Sequence, residues 1–282
     1  MFKNKLATLL IWLVAVLIMA IFICIVSDIL IQGLSQISWD YLTQSPSDAG
    51  RAGGIAPIIV STGLIVLLAI IIAAPLGLAT AVLLAEFTQQ KSVFGQFVER
   101  CLDILASVPS IVFGLFGNAF FSIYLALGFS ILSGGLTLAC MILPILIRTA
   151  IEGLRAAPDD YRYSAAALGL TRYATLIHLL LPVATPAIIA GLMLGIGRAM
   201  AETAALIFTS GYVDRMPDSV FDSGRTLSIH IYDLSMNVAG GDSKAYAAAL
   251  VLIVMLLIIN GLAMHLANHW QNKTIMNNEI II

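Results

Sequence analysis

The chain has 282 residues, of which 60% are hydrophobic and 11% are charged, and its formal net charge is −2. A soluble domain usually contains about 45–50% apolar and about 25% charged residues, whereas this chain has a mean hydropathy of +1.00. The composition excludes an ordinary water-soluble enzyme, a disordered chain and a protein with the basic surface that nucleic acid requires. It predicts an all-α integral membrane protein.

Apolar runs of about 20 residues can cross the roughly 30 Å hydrocarbon core as a helix. The 44 uncharged residues of 104–147 would extend about 66 Å as one helix, so we expect two crossings with a turn between Gly128 and Gly135. The first apolar run is longer than a signal-peptide core, so it is predicted to be a retained span. In chain order, the six predicted spans of a single transmembrane domain, 1–282, are 6–27, 58–85, 104–127, 129–147, 179–211 and 245–266.

The Lys and Arg residues are distributed unevenly between the two sides of this topology. With both termini in the cytoplasm, nine of the fourteen lie in cytoplasmic segments, four lie in outer segments, and Arg198 lies within a span. Cytoplasmic loops normally carry the excess of positive charge. We therefore predict a multi-pass protein of the bacterial cytoplasmic membrane, in contact with lipid and with both termini in the cytoplasm.

The predicted cytoplasmic segment 148–178 is unusually polar for this chain. Pro158 and the two acidic residues after it predict the start of a short helix, and Gly169 predicts its end. Thr171 is predicted to cap a second helix, which Pro182 interrupts. From the residues alone, the short helix is either a connector on the membrane surface or a docking element for a partner protein.

This segment resembles the EAA motif of ABC-importer permeases, which reads E-A-A, three residues, G, nine residues and then I-x-L-P. The chain has Tyr163-Ser164-Ala165, Gly169 and Leu179-x-Leu181-Pro182 at that spacing, with Tyr, Ser and Leu in place of Glu, Ala and Ile. The resemblance implies a type I ABC importer permease fold in which this segment is a coupling loop that docks into an ATPase subunit. The coupling residues that it implies are Tyr161, Tyr163, Ser164, Ala165 and Gly169.

A phosphate-binding loop of the G-x-x-x-x-G-K-[ST] type is absent, because the sequence contains no Gly-Lys dipeptide. ATP hydrolysis is therefore expected on a separate subunit, and the chain is not expected to be an enzyme. The three cysteines have no C-x-x-C spacing and predict neither a disulfide framework nor a metal site. No cofactor is expected.

Two ionisable residues, Arg198 and Glu202, lie inside the fifth predicted span. Their spacing places both side chains on one face of a helix, close enough to pair. Such residues normally face a bundle interior or a wet cavity and mark a substrate pathway, although a structural ion pair is the alternative. We predict that the Arg198 guanidinium contacts an oxyanion. Glu202 would weaken that binding by repulsion and accept the proton of hydrogen phosphate, which sulfate lacks.

The sequence around this pair resembles the corresponding helix of phosphate-specific (Pst) importer permeases, where R-x-x-G-E-T is typical. Arg198, Ala201, Glu202 and Thr203 occupy these positions here, with Ala in place of Gly. The resemblance therefore adds Thr203 to the predicted substrate path.

A second run, Pro109–Gly117, is similar to the P-S-x-x-x-G-L-x-G sequence in the third span of the same permeases. It adds Ser110 to the predicted substrate path. From the residues alone, Gly114 and Gly117 are more simply explained by close helix packing. The same explanation applies to Gly191 and Gly195.

The resemblance to the A-type Pst permease subunits covers nearly the whole chain. It implies translocation of inorganic phosphate by a complex that also contains a paralogous second permease, a dimer of ATP-binding subunits and an extracytoplasmic phosphate-binding protein. The alternatives are a permease for another oxyanion, such as molybdate or phosphonate, a membrane sensor of phosphate status, and an integral membrane enzyme.

Overall fold

The computed structural model of the chain describes residues 2–89 and 92–279, and side chains for residues 5, 8–89 and 92–265. The described residues are mostly helical, which confirms the predicted all-α class. A short antiparallel pair joins β1 (Pro46–Ser47) to β2 (Ala52–Gly53). The helices are α1 (Phe2–Leu34), α2 (Trp39–Thr43), α3 (Ala56–Val82), α4 (Val93–Ser107), α5 (Ser110–Gly117), α6 (Ile131–Arg155), α7 (Asp159–Ala167), α8 (Arg172–Thr175), α9 (Leu181–Met200), α10 (Ala204–Ile207), α11 (Leu227–Met236) and α12 (Asp242–Glu279). Turns of π-helix at Leu83–Phe87, Asn118–Tyr124 and Leu176–Leu180 extend or join these helices.

Five helical segments within the described residues are long and apolar enough to cross a membrane: Thr8–Leu34, Ala56–Phe87, Ile131–Arg155, Arg172–Met200 and Asp242–His265. A sixth candidate is the bent pair Val93–Ser107 and Ser110–Tyr124, whose halves meet at 101°. The number of candidate spans therefore agrees with the six that the sequence predicts, although their bounds differ.

The chain divides into two compact units. One unit consists of the residues up to Ala56 together with His230–Ile253. Within it, a Cβ on Gly33 would lie 2.9 Å from the carbonyl oxygen of Tyr246, so α1 and α12 pack closely at this glycine. The other unit consists of Pro57–Ile229 and the residues from Val254 onward, and it holds all the predicted site residues.

The core of the larger unit forms where α6 packs against α9 and where α5 packs against α10. A Cβ on Gly191 would collide with the side chain of Thr149 on α6. A Cβ on Gly114 would lie 2.8 Å from the Cα of Ala205, and one on Gly117 would collide with Thr137. These glycines therefore permit close helix packing, as their sequence pattern predicts.

The third predicted span is not one straight helix. The chain turns sharply at Val108 and Pro109, both of which have extended backbone conformations. Proline lacks a backbone N–H and restricts the preceding residue to extended conformations, so the helix ends here. The predicted span over 104–127 therefore contains the end of α4, a break at Pro109, and α5.

The fourth and fifth predicted spans also have different helical bounds. Helix α6 continues beyond the predicted end at residue 147, because Ala150, Ile151 and Leu154 are buried and extend its packed face. The fifth helical segment begins at Arg172 and ends at Met200, so the predicted continuation through residue 211 is not helical throughout. The first and last helices are longer than predicted.

Candidate functional site

Arg198 and Glu202 lie on either side of a helix break. Arg198 is in the last turn of α9, which ends at Met200, and α10 begins only at Ala204. Glu202 lies in the irregular segment between them and accepts a hydrogen bond from the backbone N–H of Ala205 through Oε1, at 3.1 Å. Its carboxylate therefore caps the start of the short helix α10.

The break is held in place by hydroxyl groups from distant parts of the chain. Ser228 Oγ donates a hydrogen bond to the backbone oxygen of Glu202 at 2.6 Å. Beside it, the backbone N–H of Leu227 donates to Thr62 Oγ1 at 2.9 Å. The Ser228 contact ties the break to the start of α11 and satisfies the carbonyl oxygen of Glu202. The Thr62 contact ties that start of α11 to α3.

The same break forms one wall of a pocket of about 590 Å³, lined by Ile145, Leu194, Arg198, Ala201 and Glu202. The Arg198 side chain is exposed, whereas Glu202 is only 9% exposed. The pocket therefore presents an exposed guanidinium and a largely buried carboxylate.

The predicted contact between these two side chains is not formed. Among the described residues, Arg198 makes no ion pair within 4.0 Å. The i, i+4 spacing brings side chains together only along a continuous helix, and α9 ends between the two residues. Both line the pocket, but no ion pair joins them.

The other predicted substrate-path residues are not in the lining of this pocket. Ser110 is half-buried at the start of α5, and Thr203 is half-buried at the helix break. Two further hydroxyl residues that lie after the break, Thr209 and Ser210, are fully buried, and their hydroxyls donate to the carbonyl oxygens of Ala205 and Leu206 at 2.9 and 3.2 Å. These last two hydroxyls are therefore satisfied by the helix backbone.

The predicted coupling loop contains the short helix α7 at the predicted position. Pro158 precedes the helix, Asp159 and Asp160 lie in its first turn, and Gly169 has the positive φ of +74° that ends it. Thr171 caps the next helix by accepting the backbone N–H of Ala174 at 3.2 Å. These parts of the prediction are confirmed, and the loop between helices is shorter than 148–178 because α6 and α8 extend into that range.

Pro182 does not interrupt the helical segment, which corrects the prediction. A π-helical turn at Leu176–Leu180 precedes it, and Pro182 then lies in the first turn of α9. A proline is tolerated in a first turn because the backbone N–H that it lacks has no intrahelical partner there. Helices α8 and α9 therefore form one candidate span.

The predicted coupling residues divide into exposed and buried positions on α7. Tyr161, Tyr163 and Ser164 are exposed, with Tyr163 at 72%. Ala165 is 1% exposed and packs inside this chain. Gly169 is exposed and has open space around its Cα, so its role in the loop is conformational.

In the sequence, Arg162 is distinguished only as one of the nine positive charges of the predicted cytoplasmic segments. Its guanidinium donates to both carboxylate oxygens of Glu86, at 3.2 and 2.6 Å. It also donates to the backbone oxygens of Leu154 and Ala157 at the end of α6, both at 3.0 Å, and to Asp159 at 3.3 Å. Arg162 therefore connects α7 to the ends of α3 and α6.

The hydrogen bond from Arg162 to Glu86 raises the pKa of the guanidinium further above its usual range. Arg162 therefore stays charged at every pH at which the protein can be handled. The sequence offered only a weak signal for this contact, because Glu86 lies 76 residues away at the end of an apolar run.

Comparisons with known proteins agree with this fold. The family described as "Binding-protein-dependent transport system inner membrane component" matches residues 73–272. "Probable ABC transporter permease protein YqgI" of Bacillus subtilis (strain 168) is 32% identical, with 96% of each chain covered. "Phosphate transport system permease protein PstA" of Mycobacterium leprae (strain TN) is 31% identical, covering 92% of this chain and 86% of that protein.

Solved structures of ABC transporters have a similar fold at low sequence identity. A bacterial ABC transporter involved in the import of the acidic polysaccharide alginate matches with a TM-score of 0.67 and 16% identity, covering 95% of this chain and 98% of that chain. An inward-facing methionine transporter, MetNI, matches with a TM-score of 0.52 and 15% identity, covering 78% and 94%. The chain therefore belongs to the inner membrane components of binding-protein-dependent transport systems and has the type I ABC importer permease fold.

Proposed function

We propose that this chain is the A-type permease subunit of an ABC importer that carries inorganic phosphate inward across the cytoplasmic membrane. The observation that carries the proposal is the Arg198 guanidinium, which is exposed in a pocket at a helix break and has no acidic partner among the described residues. A discontinuous helix beside a cavity is a common form of substrate site in transporters. The relatives named PstA support phosphate as the anion.

The chemistry of the pocket suits a protonated tetrahedral anion. The planar guanidinium of Arg198 can donate two parallel hydrogen bonds to phosphate oxygens. Glu202 uses Oε1 to cap α10, and Oε2 makes no hydrogen bond within the described residues. Hydrogen phosphate can donate its O–H to Oε2, whereas sulfate has no proton to donate at neutral pH and would face an unrelieved repulsion.

The carboxylate also limits how tightly the anion is held. An arginine without a nearby acid would bind an oxyanion strongly and release it slowly. Glu202 lines the same pocket, so its negative charge weakens binding of any anion at Arg198. A substrate on a translocation path must leave as readily as it enters, and this opposition of charges supports a transport role.

The exposed face of α7 supports the proposed coupling to an ATPase. The exposed side chains are those of Tyr161, Tyr163 and Ser164, which are available to a partner. Arg162 attaches the same helix to the ends of α3 and α6 through Glu86 and the Leu154 carbonyl oxygen. Under this proposal a dimer of ATP-binding subunits docks at α7, and both termini lie in the cytoplasm. A paralogous second permease and an extracytoplasmic phosphate-binding protein complete the complex.

The test is uptake of labelled phosphate by the complex reconstituted in vesicles, with Arg198→Ala, Arg198→Lys and, as a control, Arg215→Ala in an outer segment. We expect Arg198→Ala to abolish uptake, Arg198→Lys to retain a small part because lysine lacks the planar fork, and Arg215→Ala to have no effect. Full uptake by the Arg198→Ala complex would overturn the proposal.

Competition with unlabelled anions then identifies the substrate. Arsenate has the same protonated tetrahedral form as phosphate and should compete, while sulfate should not. Uptake of molybdate or phosphonate in place of phosphate would favour the alternative oxyanion permease. Cells that lack the chain but keep phosphate uptake, and lose only its regulation, would instead identify a membrane sensor.

A further inference from the structure

Helix α4 lies on the same side of the bundle as the ends of α3 and α6. Arg162 binds Glu86 in the π-helical turn after α3 and the carbonyl oxygen of Leu154 near the end of α6, so those two ends lie together. Leu102 of α4 packs in one cluster with residues from the last turns of both, namely Ala81, Leu84, Ile147, Ala150 and Ile151. The middle of α4 is therefore at the level of these helix ends.

The segment that runs back along α6 towards its start is α5 with the π-helical turn after it, and not α4. Helix α6 begins at Ile131 and runs 25 residues to Arg155, so its two ends lie about 37 Å apart. The segment Ser110–Tyr124 runs back along this bundle, since Gly117 of α5 packs against Thr137 of α6 and Thr209 beyond α10. Because α4 meets this segment at 101°, α4 extends sideways from the direction in which α5 runs along α6.

The residues of α4 are arranged for such a position. One side is buried against the protein through Gly95 and Leu102. Next to it, Glu99 and Asp103, one turn apart, form ion pairs with Arg155 and Arg148 of α6. The polar arc of the helix therefore lies beside the end of α6 at which the α7 loop begins.

The outer side of α4 is apolar and has no partner among the described residues of the chain. Val93, Phe97, Cys101 and Ile104 follow the i, i+4, i+8, i+11 spacing of one helix face, and all four are exposed, with Val93 at 87%. Phe94 extends this face and is also exposed. Arg100 lies between this face and the polar arc, where a long basic side chain can reach a lipid headgroup while its stem lies on apolar surface.

We propose that α4 is an interfacial helix whose face of Val93, Phe94, Phe97, Cys101 and Ile104 is embedded in the acyl chains of the leaflet on the side of the α7 loop. This is the cytoplasmic leaflet in the proposed topology. An amphipathic helix with aromatic and aliphatic residues on one face and charges on the other lies in the interface plane in this way. The ion pairs to Arg148 and Arg155 then attach the embedded helix to the end of α6. The proposal does not depend on which anion is transported.

The test uses Cys101 as a natural attachment point for a nitroxide spin label. Cys24 and Cys140 are replaced by Ser and Ala, and the labelled chain is placed in phospholipid nanodiscs within the full complex. Collision with oxygen, which concentrates in acyl chains, is compared with collision with a water-soluble nickel chelate. We expect the ratio of oxygen to nickel accessibility at Cys101 to be several-fold higher than at a label on Gln96→Cys in a Cys101→Ser background.

Gln96 is a matched control because it is exposed on the polar arc of the same helix. Ile104→Cys in the Cys101→Ser background provides a second reporter on the apolar face. If replacement of the half-buried Cys140 prevents folding, Cys140 is retained in all variants and its signal is subtracted with the Cys101→Ser chain. Nickel accessibility at Cys101 equal to that at Gln96 would place this face in water. An immobilised label with low accessibility to both reagents would place it against a partner protein. Either result would overturn the proposal.

Discussion

Arg162 and Arg198 lie in the same unit of the molecule and have opposite environments. The Arg162 guanidinium makes five hydrogen bonds, to Glu86, Asp159 and two backbone oxygens. The Arg198 guanidinium lies exposed in a pocket beside Glu202 and forms no ion pair with the described residues. All five N–H groups of the Arg162 guanidinium donate hydrogen bonds within the chain. The Arg198 guanidinium does not donate a hydrogen bond to any described residue, so its N–H groups are available to a ligand.

The difference between the two arginines follows from what the carboxylates of Glu86 and Glu202 bind. Glu86 binds Arg162 in a bidentate pair, which is a strong and geometrically specific contact. Glu202 instead directs one oxygen to the N–H of Ala205, and no described acidic residue pairs with Arg198. We therefore expect a structural role for Arg162 and keep the binding role of Arg198 as a proposal, and variants that remove one contact at a time can test the distinction.

The largest expected contrast in stability is between Arg162→Ala and Arg198→Ala. Removing Arg162 leaves Glu86 largely buried without its partner and two carbonyl oxygens at the end of α6 unsatisfied, so we expect a loss of about 2–4 kcal/mol. Removing the exposed Arg198 should change the free energy of unfolding by less than about 0.5 kcal/mol. Unfolding of the purified protein in nanodiscs, followed by circular dichroism, measures both.

Glu86→Gln provides the control for this contrast. Glutamine keeps an acceptor oxygen for Arg162 but removes the charge, so its effect should lie between those of the two alanine variants. If Arg198→Ala destabilised the protein as much as Arg162→Ala, Arg198 would have a structural partner and the proposed division of roles would be wrong.

Apolar length predicted the spans well, because a bilayer fixes the length of a helix. It predicted the helix ends poorly, because these depend on contacts between residues far apart in the chain. Helix α6 extends past residue 147 to Arg155, where Arg155 and Glu99 form an ion pair. Arg162 and Glu86 were likewise each visible in the sequence, but nothing in it indicated that they meet.

The geometry of the candidate site likewise depends on contacts between residues far apart in the chain. The spacing of Arg198 and Glu202 predicted a pair on one helix face, and the prediction that both belong to one site remains a proposal. The rule assumes a continuous helix, whereas the segment after Met200 is hydrogen-bonded to Ser228 of a distant segment, beside which Leu227 donates to Thr62. No local pattern around residue 200 contains that information.

A second contrast concerns the helix that carries Arg198. In Gly191→Ala, the new Cβ would collide with Thr149 of α6, so we expect a loss of about 1–3 kcal/mol from overpacking and a lower rate of uptake as α9 shifts. In Gly195→Ala, one turn before Arg198, the nearest atom would be 3.5 Å away. This ordinary contact distance makes Gly195→Ala the matched control, and the same unfolding measurement should find it close to wild type. Similar losses in both variants would contradict the packing described for α6 and α9.

The smallest expected effect separates the two roles of Glu202. Glu202→Ala removes the acceptor for the N–H of Ala205, and loss of a helix cap typically costs about 1 kcal/mol. Glu202→Gln keeps an oxygen at that position, so its stability should stay close to wild type while the negative charge beside Arg198 is lost. If the charge tunes anion binding, Glu202→Gln should let sulfate compete with phosphate for uptake even though the fold is unchanged. Sulfate is expected not to compete in wild type. If it also does not compete in Glu202→Gln, the Glu202 carboxylate serves only as a cap, and selectivity for phosphate must come from other groups.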